Sequence, residues 1–409
     1  MSHSFDEFRL TSFSPDTLCP RAGIGQVDGS PLEIPIVQST TFCKGSLAST
    51  ADHAYSRVSN PTNSALEEAL GQLEDAPAAV SFSSGLAAET ALFLALLRSG
   101  DHVVCGQAVY GGTTRLLEQV LIGLGIQATF VDATRVDAVQ AAVRRRTRLV
   151  FIETPANPTL ELTDIRAVAA VAHRVGALLA VDNTFLTAII QKPLDFDADL
   201  SVYSTTKYID GHSVALGGAV VGRDEKLLEH LRFIRKSTGG IQTPFNAWLT
   251  IQGIKTLPLR VRRQSKTAER VAYWLAEHPA VQRTCYPTLH TSQRVLSERQ
   301  HIGGYHGAVV SFALRDFDEA QICLNSLRFC RLAEHVGGLE TLVTHPASMT
   351  HADVSAQRRA AVGITDGLIR VSVGLEDADA IIDDLAQAID VATGSAGKET
   401  EENACTAAR

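Results

Sequence analysis

Apolar and polar residues alternate along the middle of the chain in blocks that predict strands separated by helices. Six short apolar runs have the length of buried strands, and they cover residues 102–105, 128–131, 149–153, 178–182, 200–204 and 219–222. Helical periodicity lies between several of them, most clearly over residues 164–175. This alternation favours a mostly parallel α/β sheet, in which ligands bind at the carboxyl ends of the strands.

The segment before this block has a different pattern. Residues 1–60 are rich in turn-forming residues and have little periodicity, so we expect an arm that contacts a neighbouring subunit. Ser64 and Glu67 have the spacing of a capping box, which predicts a helix that begins at Ser64. A large domain is predicted to follow, over residues 61–256.

The C-terminal part of the chain has the pattern of a smaller α+β domain, which we predict over residues 257–393. Apolar runs at 306–314 and 368–374 predict strands, and the segment 378–392 predicts a helix. The polar residues 394–409 predict a disordered tail.

The composition is that of a globular protein. The 409 residues are 45% hydrophobic, which is enough for two or three domains, and the net charge of −8 gives no electrostatic reason to bind nucleic acid. No apolar run reaches the roughly 18 residues of a membrane span, and the N-terminus lacks the pattern of a signal peptide. We therefore expect a cytoplasmic protein that has neither nucleic acid nor a membrane as a partner.

The cysteines and histidines show no pattern of a metal site. The seven cysteines are dispersed, odd in number and never spaced Cys-x-x-Cys, so neither a disulfide framework nor a zinc site is indicated. His345 and His351 lack the i, i+4 spacing of a helical ligand pair, and Pro346 lies between them. We expect no metal.

Two polar residues near predicted strand ends carry the strongest chemical signal. Lys207 closely follows the run 200–204, and Asp182 ends the run 178–182. An ionised carboxylate at the end of a buried strand is penalised unless a cation faces it, and a protonated pyridine nitrogen is such a cation. Because a lysine amine can bind an aldehyde, the pair indicates pyridoxal phosphate. Taken alone, each residue is more often a solvated lysine or an aspartate in a turn or helix cap.

A candidate phosphate site lies at Gly85, where a strand-like run, 79–82, meets a helical run, 86–97. A glycine at this junction lets backbone N–H groups at the start of a helix approach a phosphate. Ser204 and Thr206 are further candidate donors. A plain strand-to-helix turn is the alternative interpretation of the glycine.

Seven sequence motifs occur in order between residues 32 and 392. They are Tyr55-Ser-Arg57-Val-Ser-Asn60-Pro61-Thr62, Ser84-Gly85-Leu86-Ala87-Ala88, Val109-Tyr110-Gly111-Gly112-Thr113, Glu153-Thr-Pro-Ala-Asn157-Pro158-Thr159, Val181-Asp182-Asn183-Thr184, Ser204-Thr205-Thr206-Lys207-Tyr208 and His345-Pro-Ala-Ser-Met-Thr-His351. By these motifs the chain resembles the cysteine and methionine metabolism family of pyridoxal-phosphate enzymes. This family includes cystathionine γ-synthase, cystathionine γ-lyase, methionine γ-lyase and O-acetylhomoserine sulfhydrylase.

The resemblance implies an α/β protein with pyridoxal-phosphate fold type I, which is like aspartate aminotransferase. It implies that Lys207 binds the cofactor covalently and that Tyr110, which stacks on the cofactor ring, acts with it in catalysis. The other implied cofactor contacts are Asp182 at the ring nitrogen, Gly85, Leu86, Ser204 and Thr206 at the phosphate, and Tyr55 and Arg57, which reach that phosphate from an adjacent subunit. A homotetramer built from two dimers is implied as well.

The same resemblance implies the substrate contacts. Arg370 matches the arginine that grips the substrate α-carboxylate, a task that suits a bidentate guanidinium. Asn157 matches a position near cofactor and substrate. Glu334 matches a glutamate that lies near the distal amino group of cysteine or cystathionine. His335 replaces the usual serine beside the substrate carboxylate, and its bulkier imidazole is expected to titrate near neutral pH.

We predict a γ-replacement enzyme like cystathionine γ-synthase, which joins cysteine to an activated homoserine ester. The alternatives are a γ-lyase that acts on cystathionine or another γ-substituted amino acid, and an O-acetylhomoserine sulfhydrylase. Gly112 stands where methionine γ-lyases carry a cysteine, which disfavours that activity. Ala54 replaces an acidic residue often present in cystathionine enzymes, which counts against that subtype.

Two further interpretations of the sequence lie outside this family. Tyr203 and Lys207 have the Tyr-x-x-x-Lys spacing of short-chain dehydrogenases, and the glycines over 23–29 resemble an NAD-binding loop. Those glycines do not follow an apolar strand, and the Tyr–Lys pair is predicted to lie in a strand rather than on a helix, which disfavours nicotinamide chemistry. A non-catalytic interaction protein is the other alternative, because fold does not fix function.

Overall fold

The computed structural model of the protein describes residues 13–24, 28–352 and 354–394. A seven-stranded sheet forms its larger part. The strands are β1 Val80–Phe82, β2 His102–Gly106, β3 Gln127–Val131, β4 Thr147–Glu153, β5 Leu178–Asp182, β6 Leu200–Tyr203 and β7 Gly218–Gly222. They lie in the order β1-β7-β6-β5-β4-β2-β3, and only β7 runs opposite to the other six. The predicted mostly parallel sheet is confirmed.

Nine α-helices lie in this first part of the described chain. They are α1 Pro15–Leu18, α2 Pro61–Leu73, α3 Gly85–Leu96, α4 Gly111–Arg115, α5 Val136–Ala142, α6 Ile165–Arg174, α7 Thr187–Ile190, α8 Glu225–Thr238 and α9 Pro244–Lys255. Shorter helical segments cover Cys19–Arg21, Leu116–Val120, Leu121–Leu124 and Pro193–Phe196. No helix of the described residues has the length and apolar character needed to cross a bilayer.

Helices cover both faces of the first sheet. On one face, Phe151 of β4 and Ala180 of β5 belong to one buried cluster with Leu92 of α3. On the other face, Val150 of β4 belongs to a cluster with Val168 of α6. Successive side chains of a strand point to opposite faces, so each strand contributes to both cores.

Because of this alternation, the acidic side chains at the ends of β4 and β5 point to the same face of the sheet. Glu153 is two residues after Phe151, and Asp182 is two residues after Ala180, so both carboxyl groups point to the face that α3 covers. Glu153 and Asp182 are also direct partners in the register between β4 and β5. The two acids therefore lie side by side at the carboxyl edge of the sheet.

Side-chain caps explain where the helices begin. Asp164 accepts a hydrogen bond of 3.0 Å from Ala167 N at the start of α6, and Ser84 accepts one of 3.1 Å from Ala87 N at the start of α3. These starts agree with the sequence, in which residues 164–175 and 86–97 were predicted to be helical.

The predicted start of α2 at Ser64 is wrong. The helix begins at Pro61, and Asn60 caps it by accepting a hydrogen bond of 2.9 Å from Thr62 N. An Asn-Pro pair is a strong helix start because the proline lacks only an N–H that would have no partner there. Glu67 does not cap the helix. Its carboxylate accepts a hydrogen bond of 2.9 Å from Ser81 N and forms an ion pair with the buried Arg235.

A second sheet of five strands lies in the C-terminal part of the chain. Its strands are β8 Arg283–Cys285, β9 Val309–Ala313, β10 Arg331–Leu332, β11 Leu342–Thr344 and β12 Leu368–Ser372, and its helices are α10 Leu257–Glu277, α11 Thr291–Gln300, α12 Phe317–Ser326, α13 Ala356–Ala361 and α14 Ala378–Thr393. The order is β10-β11-β12-β9-β8, antiparallel except between β10 and β11. The predicted strands over 306–314 and 368–374 and the helix over 378–392 are present.

The predicted domain limits stay predictions, although all strands of the second sheet lie within the predicted domain 257–393. The contact of the arm 1–60 with a neighbouring subunit also stays a prediction. Residues 395–409 of the predicted tail lie outside the described residues.

Candidate active site

A cavity of about 450 Å³ lies at the carboxyl edge of the first sheet, where loops of the second sheet meet it. Helix α3, strand ends β4 to β6 and the segment after β6 form one part of its wall. The loop after β10 and strand β12 form another part. Of the thirteen predicted site residues, eleven line this cavity: Gly85, Leu86, Tyr110, Asn157, Asp182, Ser204, Thr206, Lys207, Glu334, His335 and Arg370.

Lys207 is a half-buried amine in the segment after β6. Its Nζ lies 3.3 Å from Nδ1 of His335. Burial and the positive charge of Arg370 lower the pKa of Lys207 to about 8, against the opposing effect of Glu334. A fraction of this amine is therefore neutral near neutral pH, and a neutral amine can attack an aldehyde or accept a proton.

One end of the cavity is acidic. Asp182 is buried and accepts 2.9 Å from Thr184 N, and Glu153 accepts 2.7 Å from Tyr110 N. Burial raises the pKa of both carboxyl groups, and the negative charge of Asp182 raises that of Glu153 further. Glu89 of α3 lines the same end, where burial and Asp182 raise its pKa to about 8. A cation is the ligand group that such an end favours.

The junction at Gly85 is packed too closely for a side chain. A Cβ at Gly85 would lie 2.9 Å from Cβ of Ser204, so the start of α3 lies directly against the segment after β6. Thr206 Oγ1 accepts 3.0 Å from Gly217 N, which fixes this segment. The N–H groups and positive dipole end of α3 thus reach the cavity next to two hydroxyl groups, an arrangement suited to an anion.

Tyr110 lies at the mouth of the cavity, 42% exposed, at the start of α4. Its ring lies against Gly112, where a Cβ would overlap the ring atoms and approach Leu86 to 3.1 Å. A larger residue at 112 would therefore require Tyr110 to move. The ring has one face available to a planar ligand in the cavity.

Arg370 is buried in β12 and is held by polar atoms from three segments. It donates 3.1 Å to Asn157 Oδ1, 3.3 Å to Thr344 Oγ1 and 3.4 Å to the His335 carbonyl, while its Nε has no hydrogen-bond partner among the described residues. Burial lowers its pKa to about 10. A buried guanidinium that lines a cavity and has unused N–H capacity is suited to a carboxylate.

Glu334 and His335 belong to the loop that follows β10. Glu334 is exposed at the cavity mouth, whereas His335 is half-buried and its Nε2 has no hydrogen-bond partner among the described residues. Burial and the charges of Lys207 and Arg370 lower the pKa of His335 to about 4. The expectation that this imidazole titrates near neutral pH is therefore wrong; the ring is neutral there.

A glycine holds this loop close to the lysine segment. Gly337 has φ +79°, and a Cβ there would lie 2.5 Å from Tyr208 N, the residue after Lys207. Gly337 N also donates 3.0 Å to Ser372 Oγ at the end of β12. Only glycine combines this backbone conformation with this closeness.

Tyr55 and Arg57 do not line the cavity of this chain. Tyr55 is 45% exposed, and the Arg57 guanidinium lies 5.4 Å from the centre of the Tyr55 ring while it donates to the Lys236 carbonyl. Their approach to a phosphate from an adjacent subunit stays a prediction.

Sequence reasoning missed two acids of the site, Glu153 and Glu89. Glu153 ends an apolar strand as Asp182 does, so the same signal could have identified it. Glu89 is a lone acid within the apolar run 86–97, and a charge at a buried helix position is the signal that was available.

The dehydrogenase interpretation does not fit the structure. Tyr203 is buried in β6, where its hydroxyl donates to Glu74 and accepts 3.0 Å from Asn183 Nδ2. It does not share a helix with Lys207, and it is not among the residues that line the cavity.

Comparison with known proteins identifies the chemistry. The family model of the Cys/Met metabolism PLP-dependent enzymes matches residues 17–390. A cystathionine γ-lyase of Bacillus subtilis is 42% identical over 91% of this chain and 98% of its own length. The structure of cystathionine γ-synthase from Xanthomonas oryzae pv. oryzae, in complex with cystathionine, has a TM-score of 0.90 at 39% identity and covers 93% of this chain and 99% of that one. That of cystathionine γ-lyase from Lactobacillus plantarum, complexed with L-serine, has a TM-score of 0.90 at 35% identity, covering 93% and 100%.

These matches confirm the predicted fold type, enzyme class and cofactor. The cavity itself also fits pyridoxal phosphate. Within the described part of the chain, Oε2 of Glu89 is buried and lacks a partner with full hydrogen-bond geometry at the acidic end, where a cationic ring nitrogen would stabilise it. The Gly85 junction forms a cradle that a Cβ would fill. The half-buried amine of Lys207 lines the same cavity.

Proposed function

The chain belongs to the Cys/Met metabolism family of pyridoxal-phosphate-dependent enzymes, and from this premise we propose that it cleaves the Cγ–S bond of cystathionine in a γ-lyase reaction. With water, that reaction gives cysteine, 2-oxobutanoate and ammonia. The observation that carries the proposal is one cavity that brings together an amine, a buried guanidinium and a carboxylate, at Lys207, Arg370 and Glu334. The γ-lyase relatives support the direction.

Pyridoxal phosphate, when bound, supplies an electron sink for negative charge at the substrate Cα. Lys207 would hold the cofactor covalently and, as a free amine, move protons at its Nζ. The lowered pKa of about 8 keeps part of this amine neutral, so that it can accept a proton from the Cα.

The residues around Lys207 would orient the cofactor. Asp182 would face the ring nitrogen with a carboxylate that Thr184 N already positions. The start of α3 at Gly85 and Leu86, together with Ser204 and Thr206, would bind the phosphate. Tyr110 would lie over the ring.

Arg370 would bind the substrate α-carboxylate. Its hydrogen bonds to Asn157 Oδ1 and Thr344 Oγ1 fix the guanidinium plane, and a substrate carboxylate would add a directly paired counter-charge to the charges of Glu153 and Glu334 that already act on Arg370. Nδ1 of the neutral His335 ring lies 3.3 Å from Lys207 Nζ, so the ring would restrict the space beside the substrate.

Glu334 would select the amino acid at the far end of the substrate. Its carboxylate at the cavity mouth can pair with the distal ammonium of cystathionine, which methionine and homoserine esters lack. The pair is solvent-exposed, so its contribution is modest, about 1 kcal/mol or less.

A second candidate is the γ-synthase reaction, in which cysteine replaces the leaving group of an activated homoserine ester. The structural match to the γ-synthase of Xanthomonas oryzae pv. oryzae is as close as the match to the γ-lyase of Lactobacillus plantarum. Both reactions place cystathionine in the same cavity, once as substrate and once as product.

One set of incubations tests the proposal. Cofactor-loaded protein is given either cystathionine, or O-acetylhomoserine or O-succinylhomoserine with cysteine, and the products are identified by mass. We expect 2-oxobutanoate and cysteine from cystathionine. Cystathionine formed from the esters, with no cleavage of cystathionine itself, would replace the γ-lyase proposal by the γ-synthase.

The Glu334→Gln variant tests the distal contact. We expect its KM for cystathionine to rise about threefold to fivefold, as loss of an exposed ion pair allows, with little change for a homoserine ester. Glu340→Gln is the matched control, because Glu340 is an exposed acid of the same loop outside the cavity. Equal effects of both variants would remove Glu334 from substrate selection.

We further propose that the active unit is a homotetramer of two dimers in which Tyr55 and Arg57 complete the phosphate site of the adjacent subunit. Their exposed positions outside their own cavity support this. Mixing inactive Lys207→Ala chains with inactive Arg57→Ala chains should restore about a quarter of the activity if subunits exchange at random. No recovery in verified hybrids would contradict the shared site.

The cytoplasm stays the proposed location. The six cysteines within the described residues are all free thiols, which supports a reducing compartment.

A further inference from the structure

Glu89 is an acid to which neither the sequence motifs nor the proposed reaction assigns a role. It lies in α3, is 3% exposed and lines the active-site cavity. Its Oε2 is buried, and no group of the described residues meets it with full hydrogen-bond geometry, although the Thr113 hydroxyl lies near enough to lower the pKa of Glu89. A buried carboxyl oxygen without a partner costs free energy, so a ligand group is expected to satisfy it.

The fold explains why Glu89 faces the acidic end. Gly85 lies at the cavity, and Glu89, one helical turn later, is on the same side of α3. The side chains of Asp182 and Glu153 point to the sheet face that α3 covers, as does Cys105 in β2. Three carboxyl groups from three elements therefore converge on one end of the cavity.

The cavity that Glu89 lines also holds cationic side chains, which are Arg115 of α4, Lys207 and Arg370. The groups that change its pKa are Asp182 in β5, which raises it, and the Thr113 hydroxyl in α4, which lowers it. The charge of Glu89 acts in turn on the Cys105 thiol in β2 and on Glu153 in β4, raising the pKa of both. Asp182 and Glu89 line one cavity, and the negative charge of Asp182 disfavours the ionised form of Glu89. Two buried carboxylates that repel each other are costly to ionise together, so we expect one of them to hold a proton.

A cation at this end would reverse that balance. It would stabilise a carboxylate on each side of it and so lower the pKa of Glu89, which stands at about 8 in the structure described here. The ring nitrogen of pyridoxal phosphate, in its protonated form, is the cation that this family brings into the cavity.

We propose that Glu89 is a positioning residue that acts through Asp182: the two carboxyl groups share one proton in the cofactor-free protein, and Glu89 releases that proton when a ligand with a cationic ring nitrogen binds. The O–H bond of the Glu89 carboxyl group breaks, its electron pair stays on the carboxylate, and the proton passes to solvent. The bound nitrogen then faces two carboxylates instead of one. This inference rests on the cofactor of the family and not on the proposed substrate.

Proton counting tests the proposal without turnover. Pyridoxal phosphate is bound to the cofactor-free full chain at pH 7 in buffers of different ionisation enthalpy, and calorimetry gives the protons exchanged. We expect the wild type to release up to about one more proton per chain than Glu89→Gln, since a titrating group is removed. Glu277→Gln, at an exposed acid in α10, is the matched control and should behave as wild type. Equal proton release by the wild type and Glu89→Gln would overturn the proposal.

A second measurement covers a variant that fails to fold or to bind. Infrared difference spectra of the wild type should show a protonated carboxyl band at pH 7 that weakens when pyridoxal phosphate binds. A spectrum without that loss would overturn the proposal from the wild-type protein alone. Neither measurement includes an amino-acid substrate. Failure of the proposed γ-lyase activity would therefore leave both results unchanged.

Discussion

The two ends of the active-site cavity are built in different ways. The acidic end takes Glu153, Asp182 and Glu89 from adjacent strands of one sheet and the helix that covers them. The other end, which we call the basic end, takes Lys207 from the first sheet but Arg370 from the second sheet and Glu334 and His335 from its loop. The acidic end is therefore fixed by strand register within one sheet, whereas the basic end depends on how two sheets pack together.

The difference separates cofactor from substrate chemistry. The acidic end is buried and its carboxyl groups have raised pKa values, so it favours a ring nitrogen that is the same for every substrate. The basic end reaches the cavity mouth at the exposed Glu334, which we propose contacts the part where substrates differ. Substitutions at the two ends should accordingly change different measurements.

Among substitutions at the basic end, Lys207→Ala should cause the largest loss of activity. Removing the amine that we propose binds the cofactor and moves protons should lower turnover by about 10³-fold or more. Borohydride should then no longer fix the cofactor to the peptide that contains position 207. Lys192→Ala is the control, because Lys192 pairs with Asp75 at 2.7 Å and does not line the cavity. We expect fixation at position 207 in the wild type and in Lys192→Ala but not in Lys207→Ala. Fixation of the cofactor to another peptide of the wild type would contradict the assignment.

Arg370→Lys should have the next largest effect. A lysine cannot form two parallel bonds to a carboxylate and would leave Asn157 Oδ1 or Thr344 Oγ1 without its donor. We expect kcat/KM to fall about 100-fold, roughly 3 kcal/mol. The affinity for pyridoxal phosphate should stay near the wild-type value, and a parallel loss of that affinity would show that Arg370 is not specific to the substrate end.

The acidic end should affect how the free energy of unfolding depends on pH. The pKa of Glu89 is about 8 in the folded protein and 4.5 without the fold. At pH values between these two, unfolding therefore releases a proton from Glu89. The free energy of unfolding of the cofactor-free protein should fall as pH rises through this window, by up to about 1.4 kcal/mol per pH unit from this group.

Urea unfolding of wild type and Glu89→Gln at pH 6 and pH 7.5 measures this slope. Other buried acids with raised pKa values, such as Glu74 and Glu153, contribute to both proteins in the same direction. The difference between the two slopes is thus the quantity that reports on Glu89. Parallel slopes would mean that its proton is not retained on folding.

The smallest expected effect belongs to His335→Ser. This change replaces a neutral ring whose Nδ1 lies 3.3 Å from Lys207 Nζ by a small hydroxyl side chain. We expect kcat/KM to change by about threefold to tenfold between substrates of different size, because pocket shape discriminates by about 1 kcal/mol. An unchanged order of substrates would show that the imidazole does not limit the pocket.

The residues at strand ends could be predicted because a polar side chain after an apolar run is visible in the sequence. Lys207 and Asp182 were found in this way, and Arg370 and Asn157 followed from the resemblance. The helix start at Pro61 was missed because the Ser64 and Glu67 spacing competed with the Asn60-Pro61 pair, and only the fold shows that Glu67 binds Ser81 and Arg235.

Two further features depended on three-dimensional packing. The low pKa of His335 arises from burial and from Lys207 and Arg370, which lie far from it in the sequence. The role of Glu89 depends on strand parity and register, which bring Asp182 of β5 to the helix that carries it. No local pattern in the chain contains this information.

Gly337 limits how this protein can acquire new substrates. Its missing side chain lets the loop with Glu334 and His335 press against the backbone beside Lys207, and its hydrogen bond to Ser372 ties the same loop to β12. The path of the loop is thereby set at its base, while the side chains at its tip remain exchangeable. The side chains of Glu334 and His335 can therefore be exchanged one at a time without moving Lys207. A larger residue at position 337 would push the loop away from the lysine segment, so that a change in the loop would then also move the lysine.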